Sequence, residues 1–84
     1  MAMRQIDGDI RRFILINTTE YNEDGKYGVI DCSYDELGDY GYDPTNEDEL
    51  MRVNTNKFVK IDDMVIGDIG ESTNFNGAYI MRVA

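Results

Sequence analysis

Apolar and polar positions alternate most clearly in two stretches, RRFILINTTEY and YGVIDCSY, separated by NEDGK. Both are rich in β-branched and aromatic residues, and Asp24-Gly25 between them tolerates positive φ at both centres of a two-residue turn. The pattern predicts a β-hairpin pairing Tyr21 with Gly28, Thr19 with Ile30, Asn17 with Cys32 and Leu15 with Tyr34. Side chains alternate along a strand, so Leu15, Tyr21, Ile30, Cys32 and Tyr34 share one face, the better candidate for the core. The opposite face offers Ile14, Ile16, Val29, Glu20 and Asp31.

Strand-like runs return after Lys57 as FVKI, MVIGDI and AYIMRV, with Asp62-Asp63 and Asn76-Gly77 as turn signals. MRQI ahead of Asp7-Gly8 fits a further edge strand. Between Asp43 and Val53 the pattern changes. Asp43 or Thr45 can cap a helix, Pro44 suits its first turn, and Glu47, Asp48 and Glu49 lie near the positive end of its dipole. Leu50, Met51 and Val53 would then face the sheet. A helix of about two to three turns depends on tertiary packing. The expected fold is α+β, mainly β: a small antiparallel sheet of about four to six strands, able to curl into a barrel, with one short helix near residues 44–53. The 84 residues suit a single domain over 1–84, burying roughly 60 to 65 % of its unfolded surface.

Charge alters this otherwise ordinary picture. Seventeen Asp and Glu against eight Lys and Arg give a net charge of −9. Direct nucleic-acid binding needs a basic footprint, and anionic membranes are disfavoured by the same sign. The single cysteine, Cys32, excludes an internal disulfide framework and points to a cytoplasmic protein, the host cytoplasm for a phage product. No apolar run approaches the roughly 20 residues of a membrane span.

Catalytic signatures are missing. With no histidine, neither a nucleophilic triad nor a zinc site assembles from this chain, and no phosphate loop or dinucleotide fingerprint occurs. EYNEDGKYGVID spaces oxygens somewhat like a calcium loop, but its flanks alternate as strands and its twelfth place is Asp31 rather than Glu. Asp7 with Asp9, and Asp62 and Asp63 near Asp68, are accounted for by turn chemistry. Cys32 lies among acids that raise a thiol's pKa, which suits a core residue. The chain is expected to be neither an enzyme nor a cofactor or metal protein, with a small Ca²⁺- or Mg²⁺-binding domain as the third reading.

The segment DCSYDELGDYGYDPTNEDEL, residues 31–50, holds eight carboxylates, three tyrosines and no basic residue. DCSY continues a strand and PTNEDEL suits a helix start, but DELGDYGYD has no such local reason. Tyrosines give large contact area at low entropic cost, and carboxylates around them steer a protein toward a basic surface. Asp35, Glu36, Asp39, Asp43, Glu47, Asp48 and Glu49 are therefore the candidate charges for partner binding, with Tyr40 and Tyr42 as anchors and Gly38 and Gly41 giving adaptability. The expected partner is a basic protein, such as a nucleic-acid-binding protein whose groove normally meets phosphates. In profile, though in no shared motif, the chain resembles small acidic inhibitors of bacteriophages and mobile elements, including DNA mimics, glycosylase inhibitors and anti-CRISPR proteins. The alternative is an assembly module that self-associates or pairs through an exposed strand such as AYIMRV.

Overall fold

The computed structural model describes residues 9–21 and 27–84. The Asp24-Gly25 turn, MRQI and Asp7 lie outside the described residues. The fold is mainly β with one short helix, as the patterning predicts. Six strands, β1 (Arg12–Tyr21), β2 (Tyr27–Ser33), β3 (Leu50–Arg52), β4 (Phe58–Val59), β5 (Ile69–Ser72) and β6 (Ala78–Arg82), form one antiparallel sheet. Their order is β2-β1-β6-β5-β3-β4, an open sheet whose outer strands are β2 and β4. AYIMRV is therefore not an edge: β6 lies between β1 and β5, with its ladder used on both sides.

The hairpin forms, but four residues out of the expected register. Leu15 pairs with Ile30 and Asn17 with Gly28, and a register irregularity between Asn17 and Tyr21 absorbs the difference before Tyr21 meets Tyr27. A slip by an even number leaves every side chain on its face, so hydrophobic alternation cannot separate the two registers. For the described side chains the face assignment accordingly holds; that of Tyr21 lies outside them. Phe13, Leu15 and Cys32 are buried together with Leu50, Val59 and Ile80 from the other strands. Ile30 sits at the margin of that face, and Tyr34 packs against the cluster from beyond the end of β2.

No helix occupies residues 44–53. Leu50–Arg52 instead becomes β3, hydrogen-bonded between β5 and β4, which turns Leu50 inward and Met51 to the opposite face. Two ladders outweigh the weak propensity of a short isolated helix. Asp43 caps no helix; its Oδ1 accepts the Thr45 N–H (3.0 Å) and hydroxyl (2.8 Å), and Asn46 N–H donates to its carbonyl (3.0 Å), forming a tight turn.

The short helix lies earlier, as a 3-10 helix over Tyr34–Tyr40. At its start Glu36 reaches back to accept the Ser33 N–H (2.8 Å) and hydroxyl (3.1 Å), the reciprocal half of an S-x-x-E capping arrangement. At its end Gly41 takes a left-handed φ of 89°, Gly41 N–H donates to Gly38 C=O and Tyr42 N–H to Leu37 C=O, each at 3.1 Å. That is the paired hydrogen-bond closure of a Schellman motif, and its usual apolar contact is supplied by Leu37 and Tyr42, both buried in the core. The segment from Ser33 to Glu49 thus lies over the inner face of the sheet, joined by Ile61 and Met64 from the connection between β4 and β5.

Arg11 latches this cover at one end. Its guanidinium binds Asp9 through Nε (2.9 Å) and Nη2 (2.7 Å), donates to the Asp62 carbonyl (3.2 Å) and lies 4.3 Å from the Tyr34 ring centre. Tyr34 in turn donates its hydroxyl to Asp62 Oδ1 at 2.5 Å. Asp9 is held at about 2 by these Arg11 hydrogen bonds.

The connection from β5 to β6 turns on Gly77, at φ 75°, where an added Cβ would come 2.5 Å from Thr19 Cγ2 and 2.7 Å from Thr18 Oγ1. Gly77→Ala is expected to lower unfolding free energy by about 1–3 kcal/mol. Leu37→Ala should cost about 2–5 kcal/mol through its cavity. Gly38→Ala, with open space around the new methyl, should leave stability unchanged or raise it by about 0.4–1 kcal/mol. Urea unfolding midpoints for the three variants check this order.

Candidate interaction surface

The described ion pairs lie away from residues 35–49. Among the described residues, Arg11 pairs with Asp9 and Asp62, Arg12 with Asp31, Arg52 with Asp68 and Lys60 with Asp63. Asp68 also accepts the Val65 N–H, so its carboxylate anchors a turn as well as an arginine. The aspartates considered as cation ligands, Asp9, Asp62, Asp63 and Asp68, thus meet cations of the chain itself. No described ion pair reaches residues 35–49.

Asp35, Glu36, Asp39, Asp43, Glu47 and Asp48 are all exposed along that segment. Two of them are fixed by local hydrogen bonds rather than by cations. The Ser33 N–H and hydroxyl hold Glu36 below the usual carboxylate range, and the Thr45 N–H and hydroxyl do the same for Asp43. Asp48 N–H is tied to Asn46 Oδ1 at 2.8 Å. With the helix capped at both ends, the carboxylates project from a defined backbone rather than from an adaptable loop.

Tyr42 and Glu49 depart from their expected roles. Tyr42 is 6 % exposed, stacked edge-to-face on Phe75 with ring centres 5.7 Å apart, and belongs to the core. Alternation through the Schellman closure turns Tyr42 inward and leaves Tyr40 42 % exposed. Tyr40 lines a shallow groove with Tyr42, Phe75, Ile30 and Leu15, so one of the two expected anchors remains at the surface. Phe75, absent from the expected set, joins this groove from the loop after β5. Spacing along the chain gives no signal for it, since its neighbourhood with Gly41 and Tyr42 arises across more than thirty residues of sequence.

Glu49 is 3 % exposed, and its Oε2 is buried without a hydrogen-bond partner among the described residues. Burial pushes its carboxyl above the ordinary glutamate range, while the Asn74 side chain and Asp43 N–H act in the opposite sense. Neither expectation of a charged contact nor of a helix dipole fits this position; it lies just before β3, which draws it beneath the cover.

Comparison with protein-family models, curated proteins and solved structures finds no significant match. No helix among the described residues is long and apolar enough to cross a membrane.

The Glu49 carboxyl makes the fold pH-sensitive in a defined direction. A folded pKa above the unfolded one means that the folded state binds the proton more tightly. Ionisation therefore costs stability as pH rises from the ordinary glutamate range through the raised value, and below that range the cost is absent. Glu49→Gln, which keeps the shape but cannot ionise, is expected to melt a few degrees above the wild type in mildly alkaline buffer. The margin should shrink as the buffer is acidified. Paired thermal melts across pH check this, and a margin that does not vary with pH would show that ionisation is not what Glu49 contributes.

Proposed function

We propose that this is a non-catalytic, cytoplasmic binding protein that occupies a basic surface on another protein, most naturally the nucleic-acid-binding groove of a phage or mobile-element target, in the manner of a DNA mimic or anti-defence inhibitor. The observation that carries this reading is the allocation of charge. Among the described residues the ion pairs engage aspartates outside the 35–49 segment, and the exposed carboxylates within it form no ion pair. Concentrating like charge on a rigid surface raises the free energy of the isolated protein, and a partner rich in Lys and Arg relieves it.

Pre-organisation supports the same reading. A loop that had to be ordered on binding would lose entropy at that moment, whereas a capped helix followed by a tight turn has already lost it. Tyr40 and Phe75 flank a groove beside this surface that suits the aliphatic stem of a lysine or arginine, with the aromatic faces available to its cation. Glu36 and Asp43, held below the ordinary carboxylate range, stay charged under any physiological condition.

Immobilised protein is expected to capture nucleic-acid-binding proteins from a host lysate at low salt, to release them as salt rises, and to lose them to competing double-stranded DNA. Combining Asp35→Asn, Asp39→Asn, Glu47→Gln and Asp48→Asn should weaken that capture at least about tenfold, with a shallower salt dependence. Tyr40→Ala should weaken it while leaving the salt dependence unchanged. Capture that ignores the four neutralised carboxylates would overturn the proposal.

A further inference from the structure

The cover described above lies on one face of the sheet, and the opposite face carries a mostly apolar row interrupted by one carboxylate. The strand registers place Val29, Ile16, Tyr79, Glu71, Met51 and Phe58 side by side, one from each of the six strands in order. A second, shorter row beside it holds Ile14, Met81 and Ile69. Val29 is 59 % and Phe58 50 % exposed. Exposed apolar rows of this length on one sheet face are unusual on monomers and mark contact surfaces.

We infer that this face associates with a second copy of the chain, forming a two-sheet sandwich around a two-fold axis parallel to the strands. Charge chooses the occupant. Each copy carries −9, and any self-association must keep those charges apart. The exposed carboxylates of residues 35–43 sit on the cover, on the far side of each sheet, so a face-to-face pair points them outward in opposite directions; Glu47 lies at the β4 edge, in a groove it shares with Phe58, Arg52 and Lys60. Among the described side chains of the two rows and their flanks, the charges are Glu71 and the Arg12–Asp31 ion pair, the latter neutral as a unit.

The row is also complementary to itself. A two-fold axis parallel to the strands, passing between β6 and β5 at the centre of the sheet order, reverses the row. It lays Val29 over the second copy's Phe58, Ile16 over its Met51, and Tyr79 over its Glu71. The last contact lets each Tyr79 hydroxyl donate to the Glu71 carboxylate of the other copy, twice by symmetry. An axis perpendicular to the strands would instead set Glu71 on Glu71.

The area sets the strength. Five strand spacings of about 4.8 Å make the row roughly 24 Å long, and two rows cover a few hundred Å² per copy. A standard interface buries about 800 Å² per partner, so the association is in the weak, concentration-dependent class.

Sedimentation equilibrium over a wide concentration range should show a reversible monomer–dimer equilibrium that persists or strengthens at high salt, because salt screens repulsion between copies and leaves apolar burial intact. Ile16→Lys and Met51→Lys should each shift it at least about tenfold toward monomer without changing the melting temperature by more than a few degrees. Ile66→Lys, at an exposed apolar position outside the rows, should leave it unaltered. Under mild oxidation, a mixture of Val29→Cys and Phe58→Cys chains should cross-link between the two variants, and Val29→Cys chains alone should not. A chain that stays monomeric at every concentration overturns the inference. So does a dimer indifferent to Ile16→Lys and Met51→Lys, or one in which Val29→Cys chains cross-link to each other.

Discussion

The burial of Leu37 and Tyr42 against Phe13, Cys32 and Ile80 decides how the rest of the molecule is arranged. A single sheet cannot be stable with both faces in water, and among the described residues there is no long helix to lay across either one. The cover is built instead from the segment between β2 and β3, held down by two apolar side chains at the Schellman closure and by Ile61 and Met64. That segment is also the acidic one. Its polar residues must point outward once Leu37 and Tyr42 point inward, so the same burial that completes the core spreads carboxylates over the outer surface of the cover.

Repulsion among those carboxylates opposes the cover, and the structure answers it with hydrogen bonds in place of counter-charges. Ser33 and Thr45 each offer an N–H and a hydroxyl to one carboxylate. Such bonds stabilise the charged form without neutralising it. Arginines, by contrast, are placed where the cover's ends must be fastened: Arg11 ties β1 to Asp62 and Tyr34, and Arg52 ties β3 to Asp68. The result is a cover whose ends are fastened by salt bridges and whose described exposed carboxylates are left without them.

Much of the sheet was legible in the sequence because alternation is a local signal. The inward set of Leu15 and Cys32, the outward set of Ile14, Ile16 and Val29, and the turn at Asn76-Gly77 follow from spacing and turn chemistry. Three things were not legible that way, the first being the strand expected over MVIGDI, which is coil and turn until β5 begins at Ile69. The hairpin register differs by four residues, which preserves the alternation and so leaves no trace in it. Residues 44–53 carry real helix-start chemistry, but the ladders that claim Leu50–Arg52 come from β4 and β5, later in the chain. The helix at Tyr34–Tyr40 did announce itself, through Ser33-x-x-Glu36 and Gly41, signals weaker than the charge around them. Reading DELGDYGYD as unexplained charge hid a helix with both caps written into it. Of the candidate contact residues, six carboxylates and Tyr40 lie where a partner can reach them, while Tyr42 and Glu49 serve the interior.

The sheet's edges explain why its face is the stronger surface for self-association. An open sheet invites pairing along its outer strands, and both are blunted here. β4 is two residues long, too short to template another strand. On β2, the Ser33 N–H is taken by the Glu36 side chain, and the Arg12–Asp31 ion pair sets charged side chains beside the edge. Glu71, set in the middle of the apolar row, works in the same direction: it penalises any stacking that places copies in an arbitrary register and favours the one arrangement in which a tyrosine meets it. A face-paired dimer would then carry its two acidic covers on opposite sides. Neither cover is hidden by the pairing, and two basic surfaces, or two sites on one assembly, become reachable at once with an affinity set by their spacing rather than by either contact alone.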